Sequence, residues 1–311
     1  MKAVLEAFLA FNAPPLTSVN FEVARELPSI NVDAVQAVLS AKGRPCVVPV
    51  GMEVNKVIAG PGGQLLLRIY TRAGSGPFPV VVYYHGGGFV IANLDTYDAS
   101  ARGITNGAGA IVVSVAYRQA PEHRFPAAVQ DAFAAYQWVV ANAGSFGGDP
   151  RRIAVAGESA GGNLAAVVPI LARNQGVQMP LHQLLVYPEV DQSFNTQSVA
   201  QNPTTVPLNG PALFYFRNYY LNSTSEIRDF RASPLRADLH HLPPATIINA
   251  DIDPLRDDGA EYAAKLKASG VPVTRTVYPG VTHEFFGMQA AVGSARQAMA
   301  QANAALRAAL G

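Results

Sequence analysis

The stretch Arg152-Ile153-Ala154-Val155-Ala156-Gly157-Glu158-Ser159-Ala160-Gly161-Gly162-Asn163-Leu164-Ala165-Ala166-Val167 changes character twice. The apolar run Arg152–Ala156 reads as a strand and Gly162–Val167 as a helix. Between them, Gly157-Glu158-Ser159-Ala160-Gly161 matches G-x-S-x-G. A strand, a sharp turn and a helix in that order make this motif a nucleophile elbow, in which the serine hydroxyl stands exposed at the top of a sheet. Flanking glycines permit so tight a turn. The pentapeptide by itself carries little weight in a glycine-rich chain, so its setting and its partners must carry the case. Glu158 is the one motif position with no functional reading.

The rest of the chain supplies the setting. Apolar, β-branched runs at Leu65–Thr71, Val80–Tyr84, Ala110–Ala116, Ile153–Ala156, His182–Tyr187, Ala245–Asn249 and Val273–Tyr278 read as strands. Helical patterns occupy Ala127–Ala143, Ala160–Arg173, Asp257–Ser269 and Gln289–Leu310. Such alternation predicts a mainly parallel α/β sheet with helices on both faces, and near-continuous apolar runs such as Val80–Tyr84 fit strands covered on both sides. Two segments break the rhythm. Residues 1–45 read as helix and loop. Residues 190–232, between the His182–Tyr187 and Ala245–Asn249 runs, hold several prolines and the aromatic cluster Phe214-Tyr215-Phe216-Tyr219-Tyr220. Inserts of this length are usually lids or subdomains, although the aromatics also suit plain helix packing.

Composition narrows the function. The chain has 311 residues, 49% hydrophobic and 14% charged, with a net charge of +1. That supports a sizeable core and gives no basic or acidic block for nucleic acid or an anionic membrane. Cys46 is the only cysteine, which excludes an internal disulfide and a cysteine-rich metal site. Glu6 interrupts the first apolar stretch, so Leu5, Phe8, Leu9 and Phe11 read as one face of a short helix rather than a signal peptide. No apolar run approaches the ~20 residues of a membrane span. The expectation is a soluble, cytoplasmic protein.

A serine nucleophile needs a base, an orienter for that base and donors for a developing oxyanion. His85-Gly86-Gly87-Gly88 directly follows the Val80–Tyr84 strand and can present inward-facing N–H groups. With the residue after the serine, the candidate donors are Gly87, Gly88 and Ala160. For the acid, the Ala245–Asn249 strand runs into four carboxylates: Asp251, Asp253, Asp257 and Asp258. Asp257 and Asp258 open a helix and read as cap residues. Asp253, held extended by Pro254, is favoured over Asp251. Among six histidines, His283 alone lies on a loop past a strand and downstream of the acid, with room for one helix and one strand between. The order Ser159…Asp253…His283 is the one found in α/β-hydrolases.

Together with Phe89, Tyr117-Arg118-Gln119-Ala120-Pro121-Glu122, Phe125-Pro126-Ala127-Ala128 and Asp253-Pro254-Leu255-Arg256-Asp257, these motifs make nearly the whole chain resemble the hormone-sensitive-lipase-like branch of α/β-hydrolases, the bacterial family IV carboxylesterases. The resemblance implies a mostly parallel eight-stranded sheet flanked by helices. It implies a helical cap from residues 1–45 and 190–232 over a catalytic domain of 46–189 and 233–311. It implies Ser159 as nucleophile, Asp253 as acid, His283 as base, and Gly87, Gly88 and Ala160 as oxyanion donors. No cofactor and no metal are expected. The expected substrate is a small ester with a short to medium acyl chain, bordered by Phe89 and Phe214. Homodimers through the last strand, near Val273–Tyr278, are common in the branch. A non-catalytic small-molecule receptor of the same fold is the competing class, disfavoured because His283 is present. Amide or lactone hydrolysis uses the same machinery.

Two positions depart from the family pattern. Glu158 stands where Asp or Thr is usual, and Glu284 where Gly is common. Glu284 either raises the proton affinity of the neighbouring imidazole or is a solvated surface charge without effect. Glu122 and His123 invite a catalytic reading, but an Arg118–Glu122 pair fixing the loop is the simpler account.

Overall fold

The computed structural model describes residues 1–45 and 47–311; Cys46 lies outside them. Eight strands form one sheet: β1 (Met52–Gly60), β2 (Gly63–Thr71), β3 (Phe78–Tyr84), β4 (Ile111–Ala116), β5 (Gly148–Glu158), β6 (Gln183–Val186), β7 (Ala245–Ile252) and β8 (Val273–Thr282). Their order across the sheet is β1-β2-β4-β3-β5-β6-β7-β8. The β1–β2 and β2–β4 pairs are antiparallel and all others parallel. The seven strand runs of the sequence all appear. β1 is the addition: only Ile58 of its residues is buried, so it carries no apolar face to read.

The helices are α1 (Lys2–Ala10), α2 (Phe21–Glu26), α3 (Val35–Ser40), α4 (Asp98–Ile104), α5 (Ala127–Asn142), α6 (Ala160–Gln175), α7 (Gln197–Gln201), α8 (Gly210–Tyr220), α9 (Arg256–Ala268) and α10 (Gly293–Leu310). Among the described residues, no helix is long and apolar enough to cross a membrane.

Strand alternation explains why β3 is apolar at nearly every position. Val80, Val82 and Tyr84 face a core shared with α5, α6 and α9, whereas Val81 and Tyr83 face a second core built with α4 and α10. The two irregular segments divide between these cores. Val4, Ile30, Val38 and Leu39 of the N-terminal segment join the second, while Phe194, Leu213, Phe216 and Tyr220 of the 190–232 segment join the first. Phe21 reaches across to Tyr219, with ring centroids 5.7 Å apart.

Candidate active site

The candidate residues collect where the parallel strands end, the usual ligand position in open α/β sheets. β5 stops at Glu158 and α6 begins at Ala160, so a single residue makes the turn. Ser159 makes it with φ 57° and ψ −120°, a sparsely populated conformation for a residue with a side chain. Its N–H donates to Val186 O at 2.9 Å, which pins the turn to β6. The turn is closed on its inner side by Gly161: a Cβ there would lie 2.0 Å from Tyr84 O and 2.4 Å from His85 O. Both contacts are backbone, so nothing can yield cheaply. Gly161→Ala is therefore expected to cost about 3 kcal/mol or more, at or beyond the upper end of overpacking effects, seen as a lower melting temperature and a smaller soluble yield.

Register brings the other two groups together. β7 and β8 are parallel, with Ile252 opposite Thr282, so the next residues, Asp253 and His283, leave adjacent strand ends side by side. His283 Nδ1 lies 2.8 Å from Asp253 Oδ2, and its Nε2 lies 2.9 Å from Ser159 Oγ. A carboxylate only accepts, so Nδ1 carries the proton and Nε2 is left to accept from the serine hydroxyl. Asp253 Oδ1 accepts the Leu255 N–H at 2.8 Å, which fixes the carboxylate. Asp253 is fully buried, while Asp251 is exposed. Burial pulls the imidazolium of His283 down. The charge and hydrogen bond of Asp253, with the charges of Glu284 and Glu158, outweigh it and leave His283 above its ordinary value.

None of the other histidines joins this chain. His85 is held by Gly86 O and stacks on Tyr117, and burial pushes it down to about 4. His182 Nε2 meets Thr246 Oγ1, and His240 pairs with Asp238.

β3 delivers the glycine loop beside the elbow, because Tyr84 is opposite Gly157. Gly87 and Gly88 have φ +103° and +60°. A Cβ on Gly88 would strike the Phe216 ring at 2.2 Å, so α8 lies directly on this loop. The Gly87 and Gly88 N–H groups find no acceptor among the described residues, and Ala160, as the first residue of α6, has none within its helix. Phe89 stacks on Tyr220 with centroids 3.8 Å apart and is buried. Phe214 is 37% exposed and lies under the Arg217 guanidinium.

Several polar groups differ from the sequence reading. Arg118 does not pair with Glu122. Arg118 is taken by Asp131, at 2.8 and 2.9 Å, because α5 brings Asp131 beneath the loop. Glu122 is taken instead by Arg25 of the N-terminal segment, at 2.6 and 2.8 Å. Arg25 also donates to Val90 O and Ala120 O, tying that segment to the stretch after the glycine loop. Asp257 and Asp258 do sit in the first turn of α9, but they also accept N–H groups of Ser198, and of Val190 and Asp191, anchoring the 190–232 segment.

Glu284 is not a solvated surface charge. Its carboxylate accepts from Tyr97 Oη at 2.6 and 2.7 Å and from Asn31 Nδ2 at 2.6 Å, and it lies 3.8 Å from His283 Nε2. Glu158 is buried and accepts from Tyr83 Oη at 2.5 Å and from Tyr187 Oη. Glu189, whose N–H donates to Ser159 O at 3.3 Å, is a third buried carboxyl near the site. Local sequence offers no signal for these partners, since Asn31, Tyr83, Tyr97 and Tyr187 come from four separate elements.

Comparison with known proteins agrees with this layout. A family model described as the alpha/beta hydrolase fold matches residues 81–287. Carboxylesterase NlhH of Mycobacterium tuberculosis is 45% identical over 236 residues, covering 75% of this chain and 74% of that one. Esterase LipI of the same organism is 41% identical, covering 89% and 88%. The solved structure of a hyperthermophilic esterase from the archaeon Pyrobaculum calidifontis superposes with a TM-score of 0.87 at 38% identity, covering 94% and 92%. The chain belongs to the α/β-hydrolase fold family, in its hormone-sensitive-lipase-like branch.

Proposed function

We propose that the chain is a carboxylic ester hydrolase working through an acyl-enzyme. The observation that carries this reading is the unbroken Ser159 Oγ–His283 Nε2 and Nδ1–Asp253 Oδ2 line, at 2.9 and 2.8 Å, opening beside unpaired Gly87 and Gly88 N–H groups. His283 takes the serine proton as Oγ attacks the ester carbonyl. The N–H groups of Gly87, Gly88 and Ala160 receive the oxyanion, each worth about 2.7–4 kcal/mol of transition-state stabilisation. His283 then protonates the leaving alcohol and afterwards activates water to release the acid. Asp253 holds the imidazole tautomer. The carboxylesterase and esterase relatives support the reaction class.

The cap of this reading is residues 1–45 with 190–232, over a catalytic domain of 46–189 and 233–311. The Phe21–Tyr219 contact and the seat of Phe216 on Gly88 support it. Substrates are small esters with short to medium acyl chains, bordered by Phe214 and by Phe89 on its Tyr220 seat. The chain acts in the cytoplasm, which its lone cysteine and small net charge suit. A nitrophenyl-ester series of increasing acyl length, run alongside fluorophosphonate labelling, tests the reading. Labelling of Ser159 with an optimum at short or medium chains is expected, and no adduct would favour a non-catalytic binding protein.

β8 is an edge of the sheet, so its outer backbone groups lack a strand partner among the described residues. We propose a homodimer through this edge near Val273–Tyr278. Light scattering at micromolar concentration is expected to give twice the chain mass, and a monomer mass overturns the pairing.

A further inference from the structure

Glu158 precedes the serine and Glu284 follows the histidine, and both carboxyls lie near enough to His283, and to each other, to act by charge. Glu158 is held by Tyr83 from β3 and Tyr187 from the end of β6. Glu284, at φ +71°, is held by Tyr97 before α4 and by Asn31 from the N-terminal segment. The two sets interlock around the imidazole: the Tyr187 ring is 4.5 Å from the His283 ring, and Glu284 is 3.8 Å from Nε2. Among the described residues, no lysine or arginine pairs with either carboxyl. The titratable groups around them are Asp253, on the far nitrogen of His283, Glu189 beyond Pro188, and His85, which packs against Tyr97 and Tyr117 and which burial keeps neutral.

Two neighbouring carboxyls, one of them fully buried and neither paired with a cation, repel each other's charge. We propose that Glu158 and Glu284 are coupled positioning residues whose combined negative charge sets the proton affinity of His283, and hence the acid limit of turnover. Burial, with the Glu284 charge adding to it, lifts Glu158 to about 7 in spite of its hydroxyl donors. Tyr83, Tyr97 and Tyr187 are pushed well above their ordinary value, first by burial and then by these carboxylates, and stay protonated donors throughout. The sign follows directly. A negative charge beside the imidazole favours its protonated form, and the protonated form cannot act as base, so the combined charge moves the acid limb upward. As pH falls, Glu158 takes a proton, withdraws charge and lowers the affinity of His283. The two titrations therefore oppose each other and spread the limb over a wider range than one independent proton would.

The inference rests on the acyl-enzyme reading for its kinetic form. The test is the pH profile of kcat/KM for the wild type, Glu158→Gln, Glu284→Gln and the double variant, with fluorophosphonate labelling and a direct titration of the downfield His283 Nδ1 proton by NMR. In either single variant one carboxyl remains beside the imidazole, so small downward shifts of the limb are expected, larger for Glu284→Gln. In the double variant the charge is gone, and a shift of about one pH unit is expected, a tenfold gain in relative activity on the acid side. That shift should exceed the sum of the two single shifts. Glu158→Gln should also sharpen the limb to one-proton steepness, which decides the matter if the double variant does not fold. A limb that keeps its position and shape while only the plateau falls overturns the proposal and leaves a purely structural role. If wild-type Ser159 takes no label, the acyl-enzyme reading fails instead, and the NMR titration still reads the coupling.

Discussion

Ser159→Ala is expected to lower kcat toward nitrophenyl esters by about 10⁶-fold, the scale of nucleophile removal in serine hydrolases. The size follows from the position of the hydroxyl. Ser159 Oγ lies within hydrogen-bond reach of His283 Nε2, at 2.9 Å, and the residue is 5% exposed at the end of β5. Alanine leaves the base, the acid and the unpaired N–H groups of the glycine loop in place, so about 10³–10⁴-fold acceleration over water should survive from binding and oxyanion stabilisation. The fold should be intact, because alanine at φ 57° bears the same backbone strain as serine. A steady-state assay with a melting curve checks both parts. An alanine variant retaining a hundredth of wild-type kcat would defeat Ser159 as nucleophile.

Asp253→Asn is expected to cost about 10⁴-fold in kcat with little change in stability. The isosteric amide has one oxygen for two acceptor duties. Oδ1 already accepts the Leu255 N–H at 2.8 Å, and leaving that buried donor unpaired costs about 1–3 kcal/mol. The amide oxygen therefore stays on Leu255, and the NH₂ group faces His283 Nδ1. Two donors cannot meet there, so the imidazole shifts its proton to Nε2 and can no longer accept from Ser159. The pH–rate profile and the Nδ1 proton resonance should change together: the resonance disappears as the tautomer flips. A variant that keeps the downfield proton and most of its activity would show that Asp253 does not orient the base.

How much of this was legible in the sequence depended on how local its cause was. The elbow was legible because strand, glycine turn and helix are neighbours in the chain. The order of serine, acid and histidine was legible for the same reason, each following a strand run with its own apolar signature. β1 was not, since an edge strand with one buried residue writes no pattern. The choice between Asp251 and Asp253 stayed open in the residues themselves, and the resemblance pointed to Asp253. In the structure the β7–β8 register, with Ile252 opposite Thr282, sets Asp253 rather than Asp251 against His283.

Charge partners were the least legible part. Arg118 and Glu122 have suitable spacing for a pair, yet each finds a better partner brought by another element, Asp131 from α5 and Arg25 from the N-terminal segment. Glu158 had no reading at all, and Glu284 had two, because their surroundings are tyrosines and an asparagine drawn from distant parts of the chain. The sequence by itself determined the sheet-and-helix alternation, the strand–turn–helix at Ser159 and the candidate serine, acid and histidine, all of which rest on short-range backbone geometry and apolar periodicity. Only the tertiary structure decided which carboxylate faces the imidazole, how the buried carboxyls are satisfied and where the two irregular segments dock. Electrostatics and hydrogen bonding act across a few ångströms of space, whatever the distance along the chain.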